Sequence, residues 1–230
     1  MPSASKLTGT KRERTLDQIL VSAQGILMED GVASLGVRQI TTQAGLVSAT
    51  FYNYFRDIEA LISELGDLLG ATHAAAIMGL IDGEGDPAAR FARITRQTLR
   101  VMALRPGFGR LMFDVGLYPE QLGGAMRLRL KRDIADGIER GLFKQGELDV
   151  IVSMVAGAIE GLGRDLHRGT VPASRIDTAT ATLLNHLGLT AVAATALGHE
   201  AIAFPPLPDL PMRWLALPPT LRAERYGNPP

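Results

Sequence analysis

The sequence predicts an all-α chain, and three observations carry that reading. Between Pro2 and Pro205 there are only four prolines, Pro87, Pro106, Pro119 and Pro172, while eight of the 13 lie between Pro205 and Pro230. Proline is costly inside a helix and suits its first turn, so this distribution describes long helices with prolines at their starts. Apolar residues recur at the i, i+3, i+4 spacing of a helical face, and no alternating Val/Ile/Thr run is closed by an Asn-Gly or Asp-Gly turn.

Thr15–Asp30 sets Leu16, Ile19, Leu20, Ala23, Ile26 and Leu27 on one face, and Gly31 stops the helix. Val37–Ala44 is a short helix carrying Val37, Ile40 and Ala44, with Gly45 after it, and Ser48–Phe55 is a second short one. Asp57 can cap a long helix running toward Ile81, with Ile58, Leu61, Ile62, Leu65, Leu68 and Leu69 inside. The run Asp82-Gly83-Glu84-Gly85-Asp86-Pro87 is the clearest loop. Further helices are expected at Pro87–Leu104, Pro106–Asp114, Pro119–Gly141, Glu147–Arg168 and Pro172–Leu197. The proline-rich tail, 204–230, is expected to be extended and packed only in part.

Composition narrows the function classes. The 230 residues can bury a sizeable core, and 21% charged residues with 46% hydrophobic ones argue against a disordered chain. Without cysteine there is no disulfide scaffold, thiolate metal site, iron–sulfur cluster or cysteine nucleophile. The polar, basic start reads as no secretory signal, and no apolar stretch reaches the roughly 18 residues of a membrane span, so the expectation is a soluble, cytoplasmic protein. With 24 Lys and Arg against 24 Asp and Glu, the chain is not a bulk polycation, and local charge must decide what it binds. Residues 1–14, expected to be a flexible basic arm, hold four cations against one acid; 15–56 hold two against three. The arm suits contact with phosphates or a minor groove, or is simply a solvated terminus.

Two short helices joined by a glycine-containing turn, after an amphipathic helix that can hold them, form a helix-turn-helix, which presents its second helix to the major groove. Ser48 and Ala49 at the start of that second helix allow close approach to base edges, and Thr50, Tyr52, Asn53 and Tyr54 can donate to phosphates. Ile19-Leu20, Ala23, Ile26-Leu27 and Gly31, then Val37-Arg38-Gln39-Ile40, Ala44-Gly45-Leu46 and Thr50-Phe51-Tyr52-Asn53-Tyr54-Phe55, resemble together the DNA-binding domain of TetR/AcrR-type transcriptional repressors. The resemblance covers about 15–61. It implies an all-α homodimer with a three-helix DNA-binding head, here 15–56, and a larger helical domain, here 57–203, that binds an inducer and dimerises.

On that resemblance, Arg38 and Gln39 lie where the first helix of the motif reaches a base or phosphate, Ser48 and Ala49 face bases, and Thr50, Tyr52 and Tyr54 contact phosphates or bases. Phe51 and Phe55 lock the helix to the head. Two positions depart from the family pattern. Val47 replaces the usual serine before the recognition helix, so the N-cap is expected at Ser48. Ile58 replaces a lysine, so one phosphate contact is missing.

In the larger domain, Arg90, Arg93, Arg96 and Arg100 form one basic helical stripe, read first as a solvent-facing surface and second as a site for an anionic ligand or the DNA backbone. Arg127, Arg129, Lys131 and Arg132 read as solvated. Met102, Phe108, Met112, Phe113 and Tyr118, among glycine and proline breaks, are either plain core or the lining of an adaptable apolar pocket, which Met154 and Ile159 would complete. The resemblance favours the pocket. Helix 147–168, with Gly157, Gly161 and Gly163, and the Ala-rich stretch 179–196 are candidates for a dimer interface or for internal packing.

Nothing points to catalysis. His73, His167, His186 and His199 lack metal-ligand spacing, Glu160 and His167 lack a third ligand, and neither a G-x-S-x-G elbow nor a phosphate-binding glycine loop occurs. The expectation is a ligand-responsive repressor without a cofactor, which binds a palindromic DNA operator as a homodimer and is released by a small apolar or amphipathic ligand. The alternative is an all-α small-molecule or lipid-binding protein, or an enzyme, whose N-terminal helices only pack.

Overall fold

The computed structural model describes residues 9–78, 80, 85–117 and 120–226, with the backbone alone over 120–126 and 223–226. It is all-helical among the described residues. Three helices, α1 (Lys11–Glu29), α2 (Val37–Gln43) and α3 (Ser48–Tyr52), form the head, and α4 (Ile58–Met78) leads out of it. The larger part comprises α5 (Pro87–Leu104), α6 (Pro106–Gly109) with a single π turn at Arg110–Asp114, α7 (Glu120–Glu139), α8 (Leu148–His167), α9 (Ile176–His186) and α10 (Ala191–Gly198). An extended segment then returns to the head, carrying a 3₁₀ turn at Trp214–Ala216, and α11 (Pro219–Tyr226) follows.

Helix α1 starts at Lys11, four residues before the expected Thr15. Thr10 accepts a hydrogen bond from the Glu13 amide and the Glu13 carboxylate accepts from the Thr10 amide, a reciprocal capping box. Lys11, Arg12 and Arg14, expected in a flexible arm, therefore belong to the first helical turn. The single helix expected over Pro172–Leu197 is two. Gly188 adopts φ +113°, in the left-handed region that favours glycine, and a Cβ there would lie 2.9 Å from the Lys144 amide nitrogen. Thr190 then caps α10 by accepting from the Ala193 amide.

The principal core runs without interruption from head to body. It joins Ile19, Leu20, Leu27, Ile40 and Phe51 to Leu61, Leu65 and Leu69 of α4, to Val101, Phe108 and Leu111, and to Met212, Trp214 and Leu215 of the returning tail. A second core, around Phe91, Ile134, Phe143, Val152 and Leu184, holds α5, α7, α8 and α9 together.

The arginine stripe of α5 is neither solvent-facing nor an anion site. Arg90 Nε and Nη2 reach Asp133 and Asp136 of α7 at 2.9 and 3.0 Å; Arg93 pairs with Glu200 at 3.2 Å. Arg96, with only 6% of its side chain exposed, bonds Asp177 of α9 at 2.9 Å and the Glu200 carbonyl at 2.6 Å. Burial opposes the charge on Arg90, but the hydrogen bonds and charges of Asp136 and Asp133 outweigh it and raise its pKa. Arg96 and Arg100 also lie 4.9 and 4.4 Å from the centroid of the Phe204 ring, where the tail begins. The stripe fastens α5 to three neighbours. Its acids stand 43 to 107 residues away, so helical spacing alone could not reveal the pairing.

The tail is more firmly packed than its prolines suggest. Gln97 donates to the Pro205 carbonyl at 3.1 Å, and a Cβ on Gly107 would meet the Leu210 side chain at 2.7 Å. On α1, the buried Gln24 donates to the Met212 carbonyl and accepts from its amide, both at 2.8 Å. Asp17, 2% exposed, accepts from Arg213 at 2.7 Å and from the Leu215 amide at 3.3 Å. Residues 205–217 thus strap the body to the head.

Candidate nucleic-acid interface and ligand cavity

The head is built around Phe51, which is fully buried and meets Phe55 at a centroid distance of 5.5 Å. Between α2 and α3 the chain turns at Gly45, whose φ of +68° needs a residue without a Cβ. Thr41 is buried and donates to the Val37 carbonyl at 2.8 Å, and its hydroxyl lies 3.5 Å from that of Ser48, which sets α2 against the start of α3. The N-cap of α3 is Val47, not Ser48 as expected; the extended backbone at Val47 (φ −90°, ψ 150°) already places Ser48 inside the first turn. The Ser48 hydroxyl is therefore not used up as a cap.

Around this buried centre, Arg38, Gln39, Ser48, Ala49, Tyr52 and Asn53 are exposed, and Thr50 and Tyr54 are half-buried. Gln39 lies 3.4 Å from Asp30. Arg12, which sequence reasoning left in the arm, has its guanidinium 5.3 Å from the centroid of the Tyr54 ring, so α1 brings a cation to the edge of the same surface. Asp57 accepts from the Ala60 amide at 2.7 Å and caps α4 where it leaves the head, with Ile58 packed on the core.

Helix α4 carries the connection from this surface to a cavity. Between α4, α5, α7 and α8 lies a space of about 290 Å³, with Ile77, Phe91, Ile94, Met102, Leu130 and Ile159 on its apolar walls. Thr95 and Thr98, each 2% exposed and one turn apart on α5, supply hydroxyls. Three of the charged lining residues are held in ion pairs: Asp133 by Arg90 at 2.9 Å, with Arg129 at 3.8 Å, and Glu160 by Arg164 at 3.1 Å. Arg127 and Ser153, which also line the space, are both exposed and hydrogen-bonded to each other, which marks where the cavity meets solvent.

Behind Thr98 stands His73 of α4, 1% exposed, with Nε2 at 3.1 Å from the Thr98 hydroxyl. Its Nδ1 has no partner among the described residues. Burial lowers the imidazole from 6.5 to about 4, so the ring is neutral near pH 7.

Of the residues expected to line a pocket, Met102 and Ile159 do. Phe108 and Met112 are buried instead in the core shared with the head. Phe113 is half-buried beside His167, and Arg164 lies 5.6 Å from its ring centroid. Met154 is 69% exposed on the outer face of α8, because the two-residue step from the buried Val152 carries it to the opposite side of the helix. Tyr118 lies outside the described residues. His73, Thr95 and Thr98 were missed; the available signal was a lone imidazole among the alanines that end α4 and two threonines a turn apart on α5.

The described part of α8 also presents Val150, Met154, Gly157 and Gly161 at i, i+4, i+7 and i+11, all exposed, and nothing lies within 4 Å of a Cβ placed on either glycine. Val192 of α10 is 82% exposed. Among the described residues, no group of three or more His, Asp or Glu is placed to hold a metal ion, and no helix is long and apolar enough to cross a membrane.

Comparison with known proteins agrees with this geometry. Residues 19–65 match the family described as bacterial regulatory proteins, tetR family. No curated protein matches the chain. Among solved structures, RolR without ligand is 26% identical, with a TM-score of 0.62 over 84% of this chain and 98% of that one. RolR in complex with resorcinol is also 26% identical, with a TM-score of 0.65 over 86% and 97%. The fatty acid degradation regulator FadR from Bacillus halodurans, 16% identical, shares the fold with a TM-score of 0.66 over 79% of this chain and 100% of its own. The head, over 19–65, is thus that of the tetR family of bacterial regulatory proteins, a helix-turn-helix for DNA, and over most of its length the chain shares its fold with RolR.

Proposed function

We propose that the protein is a homodimeric, ligand-responsive repressor of transcription that binds a palindromic operator and is released by a small, mainly apolar inducer. The observation that carries this reading is the continuity of α4: its first turn is capped inside the head and Ile77 in its last turn lines the cavity. A ligand that fits the cavity better in one position of α4 shifts the population toward that position. Two heads on one face of a palindrome must meet successive major grooves about 34–36 Å apart. A small swing of α4 in each subunit spoils that spacing and lowers affinity without touching the reading residues.

The uncovered apolar stripe of α8 supports the dimer, since its two glycines allow close approach of a partner helix. The solved complex of RolR with resorcinol supports response to a small molecule. We read the chain as a cytoplasmic binding protein and not an enzyme.

Gel-shift titration with DNA from upstream of its own gene tests the proposal. We expect sequence-selective, salt-sensitive binding, with Arg38→Ala and Tyr52→Ala each weakening it by about 1–3 kcal/mol while the thermal melt is unchanged. Absence of selective binding under every ligand condition overturns the repressor reading. A monomer by sedimentation at micromolar concentration overturns the dimer.

A further inference from the structure

Thr95 and Thr98 of α5 form a buried, uncharged polar wall of the cavity, and its chemistry can be worked out from one hydrogen bond. A buried neutral imidazole carries one proton, and burying an unpaired N–H costs more than leaving a bare lone pair. Of the two His73 nitrogens, Nε2 has a partner and Nδ1 has none. The proton therefore sits on Nε2, and His73 donates to the Thr98 oxygen. That leaves the Thr98 hydroxyl proton uncommitted. Thr41, Thr180 and Thr182 all donate to the carbonyl four residues before them, whereas Thr98, which among the described residues is bonded to His73 alone, lines the cavity.

The charges supply the second constraint. Asp133, Arg129, Glu160 and Arg164 are paired among themselves and with Arg90, and Arg127 is bonded to Ser153 at the solvent edge. A carboxylate held at depth beside Thr98 would have to break one of these ion pairs or remain uncompensated in an apolar surround, because the other lining cation, Arg127, stands at the solvent edge. The volume of about 290 Å³ lies just below the range that small-molecule sites usually occupy, roughly 300–1,000 Å³, which favours a compact ligand.

We propose that the cavity selects an uncharged, compact, largely apolar molecule carrying a hydroxyl or carbonyl oxygen, which accepts a hydrogen bond from Thr98, with His73 as the positioning residue that turns the Thr98 hydroxyl toward it. This deepens the inducer reading above by naming the ligand class, and it is tested without DNA, so the two can fail separately. Loss of operator binding leaves the ligand inference standing; ligand-induced release that ignores Thr98 removes only this inference.

The experiment is calorimetric titration of the whole protein with three compounds of one shape: 1-naphthol, naphthalene and 1-naphthoate. We expect 1-naphthol to bind at least about tenfold more tightly than either of the others. Thr98→Val should reduce its advantage over naphthalene to about twofold, while the affinity for naphthalene stays within about threefold of its original value; Thr98→Ser should restore the advantage. His73→Leu should also erase it, since the freed hydroxyl can turn back onto the Ile94 carbonyl, and this variant provides the same reading should Thr98→Val not fold. Tighter binding of 1-naphthoate, a preference for 1-naphthol that survives both substitutions, or no binding of 1-naphthol at millimolar concentration would overturn the proposal.

Discussion

His73 shows how one buried side chain can set both a binding preference and a pH response. The folded imidazole titrates at about 4 against 6.5 in an exposed chain. Between those values the unfolded protein binds the extra proton, so stability rises with pH there. The full contribution is present above pH 6.5 and is lost as pH falls toward 4, about 3 kcal/mol over the interval. Urea denaturation at pH 5 and pH 7.5 should capture about 2 kcal/mol of it, and His73→Leu should flatten that difference. Sequence spacing could exclude His73 as a metal ligand but could not show what it touches, because Thr98 lies 25 residues away on another helix. Arg38, Tyr52 and Phe51 were legible for the opposite reason: they sit within one compact motif whose turn and spacing specify which side chains point in and which point out.

At the scale of the helix, most of the fold was legible, because apolar periodicity and proline placement are local. The failures occurred where a distant partner or a single torsion decided the outcome. The break at Gly188 falls inside a run rich in Ala, Leu and Thr that keeps helical spacing on both sides, and only the approach of Lys144 requires it. Gly137 of α7 offers a sharp test of such close approach. By propensity alone, Gly→Ala in a helix stabilises by up to about 1 kcal/mol. In this structure a Cβ at Gly137 would overlap the Phe143 ring, which itself packs edge-on against Phe91 at 6.2 Å. We therefore expect Gly137→Ala to destabilise by about 1–3 kcal/mol, with a lowered thermal midpoint as the readout. A rise in that midpoint would show that Phe143 is not held where the packing places it.

Over the whole molecule, head and body are one cooperative structure because a single core and a polar strap cross between them. Gln24 is the most exposed to test, since it satisfies both backbone groups of Met212 in a buried setting. Gln24→Ala should leave that amide and carbonyl unpaired and cost roughly 2–5 kcal/mol, read as a lower urea midpoint together with faster amide exchange along α1. The strap was illegible beforehand because its partners are far apart in the chain: Arg213 closes on Asp17 across 196 residues, and Met212 on Gln24 across 188. The same separation has a consequence during synthesis. At roughly 5–20 residues per second, Gln24 emerges from the ribosome some 10–40 s before Met212 exists to meet it. Helix α1, on which the helix-turn-helix packs, is thus among the first parts made and the last to be locked. A chain cut short before residue 212 carries every side chain of the reading surface, yet lacks the contacts that finish the core beneath it.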